Sequence, residues 1–158
     1  MRCYRCLRAA AYRFGVLELT ASAYDAMIGH AYDGLPDEAC GLMVGTAEPG
    51  RCLTFEPCRN AAESSRVYTI DGKDFLRIDR AAEDAGLEIM GVMHSHTHTE
   101  PYPSVTDVAQ APDPGWHYII VSLRDEAPML RSYRIVDGGI TEEPVVVVSG
   151  RRGSVWIA

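Results

Sequence analysis

The apolar run Leu87-Glu88-Ile89-Met90-Gly91-Val92-Met93, which leads directly into His94-Ser95-His96, constrains the fold of this chain more than any other segment. It reads as a buried strand that ends at the first histidine. A strand buried along its length needs other elements packed over it. Residues two apart on a strand point to the same face, so His94 and His96 project together and can share one metal ion. Ser104-Val105-Thr106-Asp107 follows after seven residues, which puts two imidazoles, a hydroxyl and a carboxylate within fourteen consecutive positions. Asp107 can close the set from the next element. Three protein ligands and an open fourth position form the arrangement of a catalytic zinc rather than a structural one.

The flanking sequence supplies the cover. Residues 16–20 alternate as a first strand. Thr20 or Ser22 caps a helix running to about Tyr32, with Ala23, Ala26, Met27 and Ala31 as its apolar stripe and Gly34 and Pro36 as its stop. Strands are predicted over 39–44 and 52–55, then a polar loop over 60–66. Asp71 caps a second helix ending near Gly86, with Phe75, Leu76, Ile78 and Ala82 facing inward. Ser104 opens a short third helix to about Ala111. Strands at 117–123, 129–136 and 144–148 complete the pattern, with Asp137-Gly138-Gly139 as a hairpin turn between the last two. Strands interleaved with three helices predict an α/β (α+β) domain with a mixed sheet flanked by helices.

A length of 158 residues fits one domain, assigned to 15–150, between a basic extension at 1–14 that is expected to be poorly ordered and a tail at 151–158. Between those ends nine Lys and Arg face twenty-two acids, a net −13. Such a body disfavours a nucleic-acid partner and favours a neutral or basic one. No apolar stretch is long enough for a bilayer, and residues 7–12 are too short and weakly apolar for a signal-peptide core. Cys3, Cys6, Cys40, Cys52 and Cys58 make no disulfide framework, which agrees with a cytoplasmic location. Cys3-x-x-Cys6 has no second ligand pair, so an exposed extension is favoured over a second zinc site. Oligomeric state is not written in the sequence.

A zinc hydrolase also needs a base that is not a ligand. Glu38 begins the second predicted strand, but spacing alone does not choose it over Glu88 or Glu100. His98 continues the i, i+2, i+4 series. Because Asp107 already supplies a carboxylate, His98 is assigned to lining the substrate channel rather than to the metal. Cys40 falls on the same side as Glu38 and reads as a buried, inert thiol. A deaminase pattern fails because every cysteine lies upstream of His98-Thr99-Glu100.

Taken together, Glu38, His94-Ser95-His96 and Ser104-x-x-Asp107 resemble the motif of the JAMM (MPN+) zinc metalloproteases at every motif position, with the resemblance covering about residues 16–148. It implies a curved mixed sheet flanked by helices, one Zn2+ held by His94, His96 and Asp107, Glu38 as general acid/base and Ser104 as oxyanion stabiliser. The segments 36–41, 94–104 and 130–135 resemble the compact bacterial branch, of the CysO-cysteine peptidase (Mec) type. That branch implies a small ubiquitin-like sulfur carrier ending in Gly-Gly as partner, and release of cysteine from a carrier–cysteine adduct. Trimming of residues beyond Gly-Gly to mature a carrier is the alternative. A non-catalytic scaffold of the same fold is the alternative of another class, and scaffolds generally lack the metal motif.

Overall fold

The computed structural model describes residues 15–149 and, as backbone, 155–157. The expectations for the 1–14 extension, including Cys3 and Cys6, fall outside the described residues. The strands are β1 (Leu17–Thr20), β2 (Cys40–Thr46), β3 (Arg51–Cys58), β4 (Glu88–His96), β5 (His117–Ser122), β6 (Met129–Val136), β7 (Gly139–Glu143), β8 (Val145–Val148) and β9 (Val155–Ile157). The helices are α1 (Ala21–Asp33), α2 (Gly72–Asp84) and α3 (Val105–Gln110). All strands join one mixed sheet in the order β7-β6-β5-β4-β2-β3-β1-β8-β9. β4 and β5 are parallel, as are β1 with β3 and β1 with β8; the other pairs are antiparallel.

Two apolar clusters sandwich this sheet. One gathers Ala23, Met27 and Ala31 of α1 with Met43, Met90, Met93 and Ile119. The other gathers Ile78 and Ala82 of α2 with Leu42, Val92, Tyr118 and Tyr133. Every residue of β4 beyond Glu88 is buried, so its sequence reads as one continuous apolar run. Ala26 and Leu76, expected to face inward, face solvent instead. The buried residues of α1 follow i, i+4, i+8 and those of α2 centre on Ile78 and Ala82; Ala26, one residue before Met27, is turned about 100° off its line, and Leu76, two residues before Ile78, about 160°.

Thr20 is the cap of α1: its Oγ1 accepts from Ala23 N at 3.2 Å and donates to the Leu53 carbonyl at 2.8 Å, which fixes the helix start to β3. The predicted Asp137-Gly138 turn is present, with both residues at positive φ, as a two-residue hairpin of right-handed twist requires. It leads into β7, however, which the sequence reading missed, and not into β8. Pro144 ends β7, and β8 then pairs with β1 toward the far side of the sheet. β7 reads as polar, yet Glu143 is buried: Ser132 Oγ donates to its carboxylate at 2.7 Å and His117 Nδ1 lies 2.6 Å away. Residues 155–157, inside the stretch set apart as a tail, add the edge strand β9.

A candidate metal centre and catalytic cleft

The phase of β4 is set by one irregularity. Ile89 and Val92 lie in the α2-side cluster, whereas Met90 and Met93 lie in the α1-side cluster, a spacing of three that strict alternation forbids. The β2–β4 register shifts between Met43 and Val44, so that Met90 is the extra residue of a bulge. Gly91 fits there because a Cβ would stand 2.3 Å from the His117 carbonyl oxygen on β5. Beyond the bulge, alternation resumes and puts His94 and His96 on the same face as Val92. The strand does not end at the first histidine; it runs through His96, which pairs with Ser122 on β5.

The third ligand comes from α3. Ser104 and Asp107 form a reciprocal capping box, with Ser104 Oγ accepting from Asp107 N at 3.1 Å and Asp107 Oδ2 accepting from Ser104 N at 2.7 Å. That lock aims Oδ2 at both imidazoles. His94 Nε2 and His96 Nε2 are 3.1 Å apart, and Asp107 Oδ2 is 3.4 Å from the first and 3.6 Å from the second. Donors held about 2.0–2.1 Å from a tetrahedral zinc stand about 3.3–3.4 Å from one another. The observed triangle matches that spacing, all three residues are buried, and the residues therefore fit a zinc ion.

Two of the three donors are oriented by hydrogen bonds of their own, whereas the buried His94 Nδ1 has no hydrogen-bond partner among the described residues. His96 Nδ1 donates to the Glu100 carbonyl at 2.8 Å. A carbonyl only accepts, so Nδ1 carries the proton and Nε2 presents a lone pair. Burial lowers the His94 pKa despite the neighbouring Asp107, which favours a neutral imidazole, and the ring stacks on Tyr68 at 4.3 Å. Burial also acts to lower His96, but hydrogen bonds to Asp107 and Glu100 raise it overall. Desolvation of Asp107 is outweighed by its hydrogen bonds to the two histidines, which hold its pKa well below the usual carboxylate range.

Glu38 lies in the loop between α1 and β2, two residues before the strand that was expected to begin with it. It is 6% exposed and lines one cleft with His96, His98 and Ser104. Burial pushes its carboxyl up to about 7, with His96 opposing and Asp107 reinforcing the shift. Glu88 sits at the opposite end of β4, accepting from Ala47 N at 3.1 Å, and Glu100 contributes its carbonyl to His96 while its side chain is exposed. His98 is exposed on the cleft wall beyond the strand end and is not among the three clustered donors. Cys40 is fully buried in the α2-side cluster, and burial pushes its thiol up to about 12.

The sequence reading missed the groups that hold Glu38. Ser95 Oγ accepts from Ala39 N at 2.8 Å, and Ser95 N donates to Ala39 O at 2.9 Å. Asn60 Nδ2 donates to the Glu38 carbonyl at 2.9 Å and to Val67 O at 3.1 Å, while its Oδ1 accepts from Ala62 N and Thr69 N, each at 3.0 Å. Glu38 N donates to Ser64 O at 2.9 Å. An asparagine in a polar loop gives no sequence signal of this role, but a serine between two ligand histidines is a position where a buried polar partner could have been sought.

The chain is similar to known proteins in sequence and in fold. Residues 20–136 match the family described as prokaryotic homologs of the JAB domain. The CysO-cysteine peptidase of Mycobacterium tuberculosis is 47% identical over 134 residues, covering 84% of this chain and 92% of that protein. The desampylase of Haloferax volcanii is 36% identical over 111 residues, covering 67% of this chain and 80% of that protein. A protein from Desulfitobacterium hafniense, solved in solution, superposes with a TM-score of 0.79 at 29% identity over 85% of this chain and 94% of its own. The α+β architecture, the motif and these matches lead to one assignment: the chain belongs to the prokaryotic JAB-domain family, of the JAMM/MPN fold.

Proposed function

We propose that this protein is a cytoplasmic zinc peptidase that hydrolyses the bond after the C-terminal Gly-Gly of a ubiquitin-like sulfur carrier and releases cysteine from a carrier–cysteine adduct. The observation that carries the reading is the buried triangle of His94, His96 and Asp107 with Glu38 and Ser104 in the same cleft. The similarity to a CysO-cysteine peptidase over most of both chains supports the substrate.

Zinc held by the three donors would supply Lewis acidity, polarising the scissile carbonyl and acidifying water to a pKa of ~7. Glu38 takes a proton from the attacking water. With its carboxyl pushed to about 7, it is balanced between base and acid at neutral pH and can return that proton to the departing amine. Ser104 Oγ already accepts from Asp107 N, so its own proton is left for the carbonyl oxygen as negative charge develops there. Ser104 is exposed to the cleft, and a donor in that role contributes on the order of 3 kcal/mol.

The similarity to a desampylase favours a second reading, removal of a carrier from a lysine side chain. Purified protein incubated with a carrier–cysteine adduct and followed by intact mass tests the first. The expected result is loss of one cysteine residue's mass, abolished by Glu38→Gln and by a chelator. Zinc-loaded protein that cleaves a lysine-linked carrier and not the adduct would establish the second reading. Protein that neither binds zinc nor cleaves would be a scaffold.

A further inference from the structure

Arg66 lines the catalytic cleft together with Glu38, His96 and Ser104, and among the described residues of that lining it is the one Lys or Arg. The body around it is strongly acidic, and five other arginines lie within ion-pair distance of a carboxylate. Arg66 is exposed and has no carboxylate partner among the described residues. Its backbone is nevertheless fixed. Arg66 N donates to Ser64 Oγ at 3.1 Å, Thr97 Oγ1 donates to Ser65 O at 3.4 Å, and Asn60 Nδ2 donates to Val67 O at 3.1 Å. Ser64 in turn accepts from Glu38 N at 2.9 Å, so the arginine is anchored beside the base with its guanidinium unspent.

The chemistry of the leaving group gives that cation a task. When a single amino acid departs, its α-carboxylate is two bonds from the nitrogen that receives the proton from Glu38. A further carboxylate therefore enters a cleft lined by Glu38 and adjoining Asp107, and a bound zinc, shared by its own donors and the scissile carbonyl, would offset only part of that negative charge. A lysine isopeptide brings no such charge, because its reacting nitrogen is far from its own α-carboxyl group.

We propose that Arg66 is a specificity-determining residue that binds the free α-carboxylate of the residue leaving after Gly-Gly, selecting a single C-terminal amino acid over a lysine isopeptide. This rests on the peptidase reading above. The bond broken is still the amide C–N: water supplies the hydroxyl to the glycine carbonyl carbon and the proton to the amine, and Arg66 contributes only an ion pair.

Three substrates test it: a ubiquitin-like carrier ending Gly-Gly-Cys as the free acid, the same carrier ending in the cysteine carboxamide, and the carrier joined to the Nε of a capped lysine. A charge-assisted hydrogen bond predicts a kcat/KM for the acid about 10- to 100-fold above the other two. Arg66→Gln lowers the acid by that factor and brings acid and carboxamide to the same value, while Arg66→Lys keeps part of the preference. Equal wild-type kcat/KM on acid and carboxamide overturns the role of Arg66 and leaves the peptidase reading intact. So does an Arg66→Gln enzyme that loses both substrates in proportion, since that marks a merely structural residue. Cleavage of none of the three by zinc-loaded wild type overturns the peptidase reading itself.

Discussion

Replacing Asn60 with alanine removes five hydrogen bonds at once, three donated to the carbonyls of Glu38, Val67 and, at 3.5 Å, Ser64, and two accepted from the amides of Ala62 and Thr69. Four are at part-buried positions, and the bond to Thr69 is exposed, where water replaces it. At about 1 kcal/mol for each of the three part-buried bonds of 3.1 Å or shorter, the variant should lose about 3 kcal/mol of stability. Asn60→Asp keeps both accepted bonds but turns an oxygen toward three carbonyls, so it should cost at least as much despite its identical shape. Urea denaturation measures both. The catalytic consequence should exceed that on the metal: His94, His96 and Asp107 stand on β4 and α3, and the 60–70 loop meets them through the Tyr68 ring stacked on His94 at 4.3 Å, so zinc content by mass spectrometry should stay near one per chain. Adduct cleavage should fall at least tenfold, because Glu38 loses the fixed backbone that aims it. An Asn60→Ala protein within about 0.5 kcal/mol of wild type, or one with full turnover, would refute the reasoning.

Gly91→Ala places a methyl group where the His117 carbonyl oxygen stands 2.3 Å away, so β4 and β5 must part; the expected loss is about 3 kcal/mol by urea denaturation, with zinc affinity falling as well. Zinc removal should leave two imidazoles and a carboxylate crowded without their shared cation, and zinc added back at a thousandfold excess over Kd should raise the Tm by roughly 10 °C, a shift that His96→Ala abolishes. Burial pushes the thiols of Cys40, Cys52 and Cys58 up to about 12, so iodoacetamide at pH 8 should leave all three unlabelled in the native protein and label them in urea, as read by peptide mapping. Labelling of native Cys40 accompanied by loss of cleavage would contradict its assignment as an inert thiol.

The parts of the fold legible in the sequence are those where local chemistry and tertiary position demand the same residue. Thr20, Asp71 and Ser104 are caps both by type and by the bonds they make. The grouping of His94, His96 and Asp107 was legible because strand alternation and a capped helix fix side-chain direction locally. Strand alternation was only locally valid, however: the bulge at Met90 resets it before His94, and nothing in the run 87–93 announces that shift. Glu143 misled for another reason. A carboxylate in a five-residue polar stretch reads as surface, and its burial depends on Ser132 and His117 from two other strands. Ala26 and Leu76 show the same limit on helices, since an apolar residue at the margin of a stripe is buried only if a neighbour covers it.

Metal binding and proton transfer are built largely on different segments in this cleft, joined where Ser95 of β4 bonds Ala39 and where Tyr68 stacks on His94, and that division bears on how such a site can diversify. The ligands stand on the central strand and on a helix whose capping box uses the ligand carboxylate itself, so losing one ligand disturbs the fold around it. Glu38 and Arg66 stand on loops tied to one another through Ser64 and Asn60, with their side chains projecting into the cleft. Changes in the 60–70 loop can therefore alter which leaving group is accepted while the zinc triangle stays in place. Two relatives with different names, one a CysO-cysteine peptidase and one a desampylase, match the chain over 84% and 67% of its length. If the loop sets the choice between them, exchanging residues 60–67 with those of a desampylase should shift preference from a free C-terminal cysteine toward a lysine isopeptide at unchanged zinc content. A swap that abolished zinc binding instead would show that the links through Ser95 and Tyr68 make base and metal one unit, and would refute the assignment of this choice to the loop alone.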